Sequence, residues 1–186
     1  FLQQRIKKHK AVVPISFNVT NLTVFDGDFL QDYLGTFRQY SLPKDLIEFE
    51  FTEDIHFEKK DQVQDIIDIF RSEGFTCTLD DFGNGFSSFD LLMNAAIDII
   101  KLDRLFFQGM LSEQRKRVIH NIIDIAKIKG IKVLAEGVET KEYARFVEAE
   151  GCDYIQGFYY YRPMPLGEFE KLLDSDKILP YTMDDK

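Results

Sequence analysis

Two adjacent carboxylates, Asp80 and Asp81, end an apolar run that begins at Phe75 and open a loop over 82–88, Phe82-Gly83-Asn84-Gly85-Phe86-Ser87-Ser88. Neighbouring residues of a regular strand face opposite sides, so both carboxylates can aim at one point only where the backbone turns at the strand end. Held together, they repel unless positive charge lies between them, and a hard divalent cation supplies it well. On this stretch alone a plain turn explains the residues too, because Asp, Asn, Gly and Ser are all turn formers.

The other β-branched and aromatic runs also close on polar side chains. Asn18 ends the run over 11–19, Glu50 lies near the end of 46–52, and Lys101 near the end of 97–102. Glu136 follows 131–135, and Gln156 lies in 154–157. Between these runs the apolar spacing turns helical, over 29–40, 60–73, 87–94, 112–129, 141–150 and 166–173. In 60–73 the apolar face is Val63, Ile66, Ile67 and Phe70; in 112–129 it is Val118, Ile119, Ile122, Ile123 and Ala126. Strand and helix thus alternate, which predicts βαβ units and a parallel sheet. A doubly wound sheet and a (β/α)8 barrel both satisfy the alternation.

Two features favour the barrel. Polar residues stand at the C-terminal end of every strand, where barrel active sites are built. No dinucleotide fingerprint marks a switch-point crevice: Gly83 and Gly85 follow a strand, but Ser88 stands where a third glycine would be. A complete barrel runs to about 250 residues, so the 186 residues here predict an incomplete TIM-type (β/α)8 barrel that lacks its first strands. The barrel is expected over 1–174, followed by a polar tail over 175–186.

In such a barrel Asn18, Glu50, Asp80, Asp81, Lys101, Glu136 and Gln156 converge on one mouth. Carboxylates and amide oxygens form a donor set for Mg2+ or Mn2+. The set would serve two metals about 4 Å apart, the clamp used in phosphoester hydrolysis. Lys101 would offset negative charge and hold a substrate oxygen or the attacking water. Paired carboxylates alone would equally serve a glycosidase, and Glu48 shares the face of Glu50, so pattern does not single Glu50 out.

Composition narrows the partners. Net charge is -9, which argues against long nucleic acids as partners but not against a small phosphorylated ligand bound through metals. Eighteen phenylalanines and no tryptophan predict a core of aromatic and branched aliphatic side chains. Two cysteines without metal spacing, Cys77 and Cys152, read as packed thiols of a reducing compartment. No apolar run reaches the length of a membrane span and the N-terminus does not read as a signal peptide. The expectation is a cytoplasmic location, with the parent protein either free or tethered to the inner face of the membrane. His9, His56 and His120 lack ligand spacing and receive no role.

Six stretches, in order, carry a family resemblance: Phe17-Asn18-Val19-Thr20, Glu50-Phe51-Thr52-Glu53, Asp80-Asp81-Phe82-Gly83-Asn84-Gly85-Phe86-Ser87-Ser88, Ile100-Lys101-Leu102-Asp103, Ala135-Glu136-Gly137-Val138-Glu139-Thr140, and Gln156-Gly157-Phe158 with Pro163. Together they resemble the motifs of the EAL-domain cyclic di-GMP phosphodiesterases, from about Val13 to Leu173.

The resemblance implies a barrel with two Mg2+ or Mn2+ ions that hydrolyses cyclic di-GMP to linear pGpG in bacterial second-messenger signalling. It implies that Asn18, Glu50 and Asp80 ligate one metal, that Asp80 bridges to the second, and that Asp81 ligates the second. Glu136 matches a residue of the second metal site and a candidate general base. Lys101 matches the lysine that orients the attacking water, and Gln156 the glutamine that helps to hold it. Glu53 is similar to the glutamate that anchors the loop after Asp81. The family's counterpart of the loop 82–88 couples dimerisation to metal binding, which implies a homodimer here. Asn84 and Phe86 replace a commoner threonine and tyrosine.

The Glu-Ala-Leu signature that names the family does not occur; its glutamate is a direct metal ligand and its neighbouring arginine contacts the nucleotide. The chain is therefore read as a piece of a longer enzyme, with a flanking sensory or diguanylate cyclase domain in the parent and little or no activity when isolated. A catalytically inactive cyclic di-GMP receptor is the alternative, and a barrel serving only dimerisation a third.

Overall fold

A computed structural model describes residues 1–20, 29–52, 60–83, 92–93 and 96–175. Its elements run, in order, α1 (Leu2–Lys7), β1 (Ile15–Val19), α2 (Phe29–Gln39), β2 (Ile47–Thr52), α3 (Lys60–Ser72), β3 (Thr76–Phe82), β4 (Ile99–Leu102), α4 (Glu113–Ile128), β5 (Lys132–Ala135), α5 (Lys141–Ala149), β6 (Tyr154–Ile155) and α6 (Leu166–Leu173). Short 3-10 turns at Lys44–Leu46 and Arg104–Phe107 precede β2 and follow β4. The strands form one parallel sheet in the order β1-β2-β3-β4-β5-β6, an incomplete barrel with β1 and β6 at its edges.

Alternation along the strands divides the sheet into two faces. On β2, Ile47, Phe49 and Phe51 are buried toward the helices while Glu48, Glu50 and Thr52 take the other face. Phe49 lies at the centre of the helix-facing core, with its ring 4.2 Å from Phe70, 5.3 Å from Phe75 and 5.8 Å from Phe37. The expected face of α3 is accordingly buried through Val63, Ile66, Ile67 and Phe70.

One device ties strand starts together twice. Asp98, before β4, donates its N–H to the carbonyl of Cys77 and accepts the Cys77 N–H on its carboxylate at 2.9 Å. Asp153, before β6, does the same with Val133, at 2.8 Å. Each fixes the register of the strand it precedes, and so the height of the side chains at its far end. Ser112 and Thr140 cap α4 and α5 by accepting the N–H of Arg115 and Tyr143, satisfying donors the helices leave open. Across the sheet edges, the buried Arg5 of α1 bonds to Asp174 just past α6 and to the Ala11 carbonyl.

Several expectations shift. The first strand begins at Ile15 rather than 11, just after Pro14, which has no N–H to give to a ladder. The third runs on through Asp81 to Phe82. Gln156 lies just beyond β6, which ends at Ile155. Val118, expected inward, is exposed, so the buried stripe of α4 is Ile119, Ile122, Ile123 and Ala126. Most of the helix expected over 87–94, and the tail from 176, lie outside the described residues. Among the described residues no helix is long and apolar enough to cross a membrane.

Candidate active site

The polar face of the sheet gathers its charges around one ammonium. Lys101 projects from the end of β4 and is 4% exposed. Its Nζ lies 2.8 Å from Asp80 Oδ1 of β3, 3.2 Å from Glu50 Oε2 of β2 and 3.1 Å from Glu136 Oε2 just beyond β5. Residues from four consecutive strand ends therefore meet at one atom. Burial by itself would lower the Lys101 pKa, but the hydrogen bond to Asp80 and the charges of Glu50, Asp80 and Glu136 outweigh it and raise it. The ammonium is thus held charged.

Glu50 and Glu48, indistinguishable by pattern, separate here. Glu50 reaches Lys101. Glu48, two residues earlier, accepts a hydrogen bond from Thr78 Oγ1 at 2.6 Å, and burial keeps its carboxyl above the usual range.

The paired aspartates are presented by a break in the strand. The β3–β4 register shifts between Leu79 and Phe82, and Asp81 takes a left-handed φ of 58°. Its N–H turns back to donate to Asp80 Oδ1 at 2.9 Å. A non-glycine residue in this conformation is uncommon, and Asp is among those that tolerate it. The Asp81 pKa is pushed up to about 6, first by burial, then by the charge of Asp80, then by a hydrogen bond with Asp103. Asp103, 7% exposed, also accepts the N–H of Leu105 at 2.7 Å and so caps the turn after β4.

Sequence reasoning missed Asp103 as a site residue. Its position just past Lys101-Leu102, opening a helical turn, was the available signal. Asn18 stands level with Glu50 in the β1–β2 register, but its side chain is exposed and enters none of the ion pairs on Lys101. Gln156 donates its N–H to Ala135 O at 2.8 Å and lines a cavity of about 730 Å³ together with Glu136. Glu53 and residues 84–88 of the loop lie outside the described residues.

Two glycines hold these loops together. A Cβ on Gly157 would come within 2.0 Å of the Val138 carbonyl oxygen, so only glycine lets the chain after Gln156 pack on the chain after Glu136. Gly137 combines a φ of 72° with close approach to Arg104, whose Cβ would be 2.4 Å from an added methyl.

The donor chemistry fits a hard cation. Glu50, Asp80, Asp81 and Glu136 supply oxygen alone, and their charge exceeds what one ammonium balances. Glu136 Oε2 is buried without a hydrogen-bond partner: its approach to Lys101 is an ion pair lacking hydrogen-bond geometry. Among the described residues no three acidic, histidine or cysteine side chains already form a cage for an ion; Glu50, Asp80 and Glu136 converge on Lys101 instead. Oxygen ligands set around a fixed ammonium, beside a cavity, suit a reaction in which negative charge builds on an oxygen.

The chain is similar to known proteins in sequence and in fold. The family model described as EAL domain matches residues 1–163. The cyclic di-GMP phosphodiesterase NbdA of Pseudomonas aeruginosa is 35% identical over 136 residues, covering 73% of this chain and 17% of NbdA. PdeL of Escherichia coli, also a cyclic di-GMP phosphodiesterase, is 29% identical over 166 residues, covering 86% of this chain and 46% of PdeL. The chain thus spans less than half the length of these curated relatives. Among solved structures, the EAL enzyme Bd1971 in its cAMP- and cyclic-di-GMP-bound form superposes with a TM-score of 0.81 at 32% identity, over 86% of this chain and 43% of that one. The EAL domain of Mycobacterium smegmatis DcpA reaches a TM-score of 0.86 at 24% identity, over 92% and 78%, a likeness of fold. With the six-stranded incomplete barrel and its strand-end carboxylates, the match over most of its length places this chain in the EAL domain family.

Proposed function

We propose that the protein carrying this chain hydrolyses one phosphodiester bond of cyclic di-GMP to give linear pGpG, using two Mg2+ or Mn2+ ions. The observation that carries the proposal is the meeting of Glu50, Asp80 and Glu136 on the Lys101 ammonium at the strand ends of an EAL-family barrel. Relatives named cyclic di-GMP phosphodiesterases support the substrate.

Asn18, Glu50, Asp80, Asp81 and Glu136 would hold the cations, which would neutralise phosphate charge and lower the pKa of bound water. Glu136, half-buried with one oxygen free of hydrogen bonds, takes the proton of the attacking water. The water oxygen bonds to phosphorus, the bond from phosphorus to the 3′ oxygen breaks, and that oxygen takes a proton from solvent water while Glu136 returns its own to solvent, so that one water is consumed and no net proton is gained. Lys101, fixed by three carboxylates, faces the charge that develops on the phosphoryl oxygens, and Gln156 orients the water from the adjoining loop.

The test is incubation of the intact protein with cyclic di-GMP and Mn2+, followed by chromatography. Release of pGpG that stops in EDTA is expected. Tight nucleotide binding without turnover would overturn hydrolysis and leave a receptor.

The free thiols Cys77 and Cys152 support a cytoplasmic location. The greater length of the relatives supports a flanking sensory or diguanylate cyclase domain in the parent. The family resemblance of the loop 82–88 supports a homodimer formed through that region.

A further inference from the structure

Strand β2 turns two carboxylates to the polar face, yet only one of them meets the ammonium. In the β2–β3 register Glu48 stands level with Thr76, and Glu50 with Thr78. Glu48 nevertheless bonds to Thr78, two residues beyond its own partner. Its carboxylate therefore leans along the strands toward the end where Lys101 stands. Glu50 leans the same way, and its Oε2 reaches Lys101 Nζ. The charge of Lys101 attracts Glu48, while those of Glu50 and Asp80 repel it. Among the described residues Glu48 still forms no ion pair. The difference lies in Thr78, which is fully buried and whose hydroxyl donates to Glu48 Oε1 at 2.6 Å.

We propose that Thr78 is a positioning residue that keeps Glu48 off Lys101 and so reserves the ammonium for Glu50, Asp80 and Glu136. The effect on turnover rests on the phosphodiesterase reading above; the placement of Lys101 does not. The physical basis is competition. An ammonium has three donors, and Lys101 already faces three carboxylates. A fourth enters only by displacing one of them. Glu48 is half-buried, and a carboxylate withdrawn from water without a donor carries an unmet desolvation cost. Denied the Thr78 hydroxyl, it takes a donor from the flexible Lys101 instead. Glu50 is the partner displaced, because it approaches from the same strand and the same face. Nζ is then drawn down the sheet, away from Glu136. A hydroxyl suits this task because it satisfies Glu48 without adding a second cation among the ligand carboxylates.

The experiment compares the intact protein with Thr78→Val, which removes the hydroxyl, with Thr78→Ser, which keeps it, and with Thr78→Val in a Glu48→Gln background. Thr78→Ala replaces Thr78→Val if valine is not accommodated. Crystals grown in EDTA are expected to show Lys101 Nζ about 3 Å from the Glu48 carboxylate in Thr78→Val. Nζ should remain on Glu50 in Thr78→Ser and in the Glu48→Gln background. With saturating Mn2+, kcat for cyclic di-GMP should fall about tenfold or more in Thr78→Val, because the ammonium no longer faces the phosphoryl oxygens. KM should change far less. In the Glu48→Gln background the same substitution should alter kcat less than about twofold. A threonine that served only to hold the sheet together would lower stability alike in both backgrounds and leave Nζ in place. Nζ still on Glu50 in Thr78→Val, or an equal fall in kcat in both backgrounds, overturns the proposal. If the unmodified protein does not cleave cyclic di-GMP, the hydrolysis reading fails separately, and the position of Nζ in the crystals still decides this one.

Discussion

Replacing Lys101 by Met tests whether one ammonium holds the site together. Methionine keeps an apolar, flexible stem but removes the charge. Three carboxylates then face one another: those of Glu50, Asp80 and Glu136 are 10%, 14% and 31% exposed, around a Lys101 side chain that is 5% exposed. Removing one partner of a buried ion pair costs about 3–5 kcal/mol. Asp80 and Glu136 keep some contact with water, so the lower end, about 3 kcal/mol, is expected. For a domain of this size that corresponds to a melting temperature lower by about 6–12 °C. The assay is thermal unfolding in EDTA, and again with saturating Mn2+, which restores positive charge and should narrow the deficit. The Lys101 pKa is raised in the folded protein, so its stabilisation is complete below the unfolded value near 10.4 and lost only as pH rises through the higher folded one. The deficit should therefore be the same from pH 6 to about 9. A shift under about 2 °C in EDTA would show that the ammonium does not bear this charge.

Asp81, with a folded pKa of about 6 against about 3.9 unfolded, holds an excess proton in the folded state between those values. Its stability contribution therefore falls as pH rises from about 4 to 6 and stays low above. Metal-free protein should gain stability from pH 7 to 5, and Asp81→Asn should lose that part of the gain; identical pH profiles would refute it. His120, whose pKa is raised by its hydrogen bond to Glu150 and the charge of Asp124, acts in the same direction but is common to both proteins. Gly157→Ala drives a methyl into the Val138 backbone and should cost about 2 kcal/mol or more in urea unfolding. Phe49→Ala empties the centre of the aromatic core and should cost about 3–5 kcal/mol by the same measurement.

The alternation of elements was legible because it is local. Val63, Ile66, Ile67 and Phe70 mark the buried face of α3 by spacing alone, and all four are buried. Val118 misled because a stripe five residues wide is one wider than the surface α4 covers, and periodicity does not say which edge of a stripe the neighbours reach. The extension of β3 through Asp81 was illegible for a similar reason. A bulge is decided by the strand it pairs with, β4, and not by its own residues.

For the site, the order of the polar strand ends and the identity of their side chains were written in the chain. Lys101, Asp80, Glu50 and Glu136 were all candidates before any contact was known. Tertiary structure decided how they relate. The parallel register, pinned by Asp98 and Asp153, sets strand ends at heights where one ammonium reaches three carboxylates. It sends Glu48 to Thr78 and Glu50 to Lys101, although both share a face. It also recruits Asp103 against Asp81 and leaves Asn18 exposed at the edge of the sheet. Side-chain chemistry and local periodicity belong to a single stretch of chain. Convergence depends on the pairing of stretches up to 86 residues apart, from Glu50 to Glu136, and only the folded sheet makes that pairing.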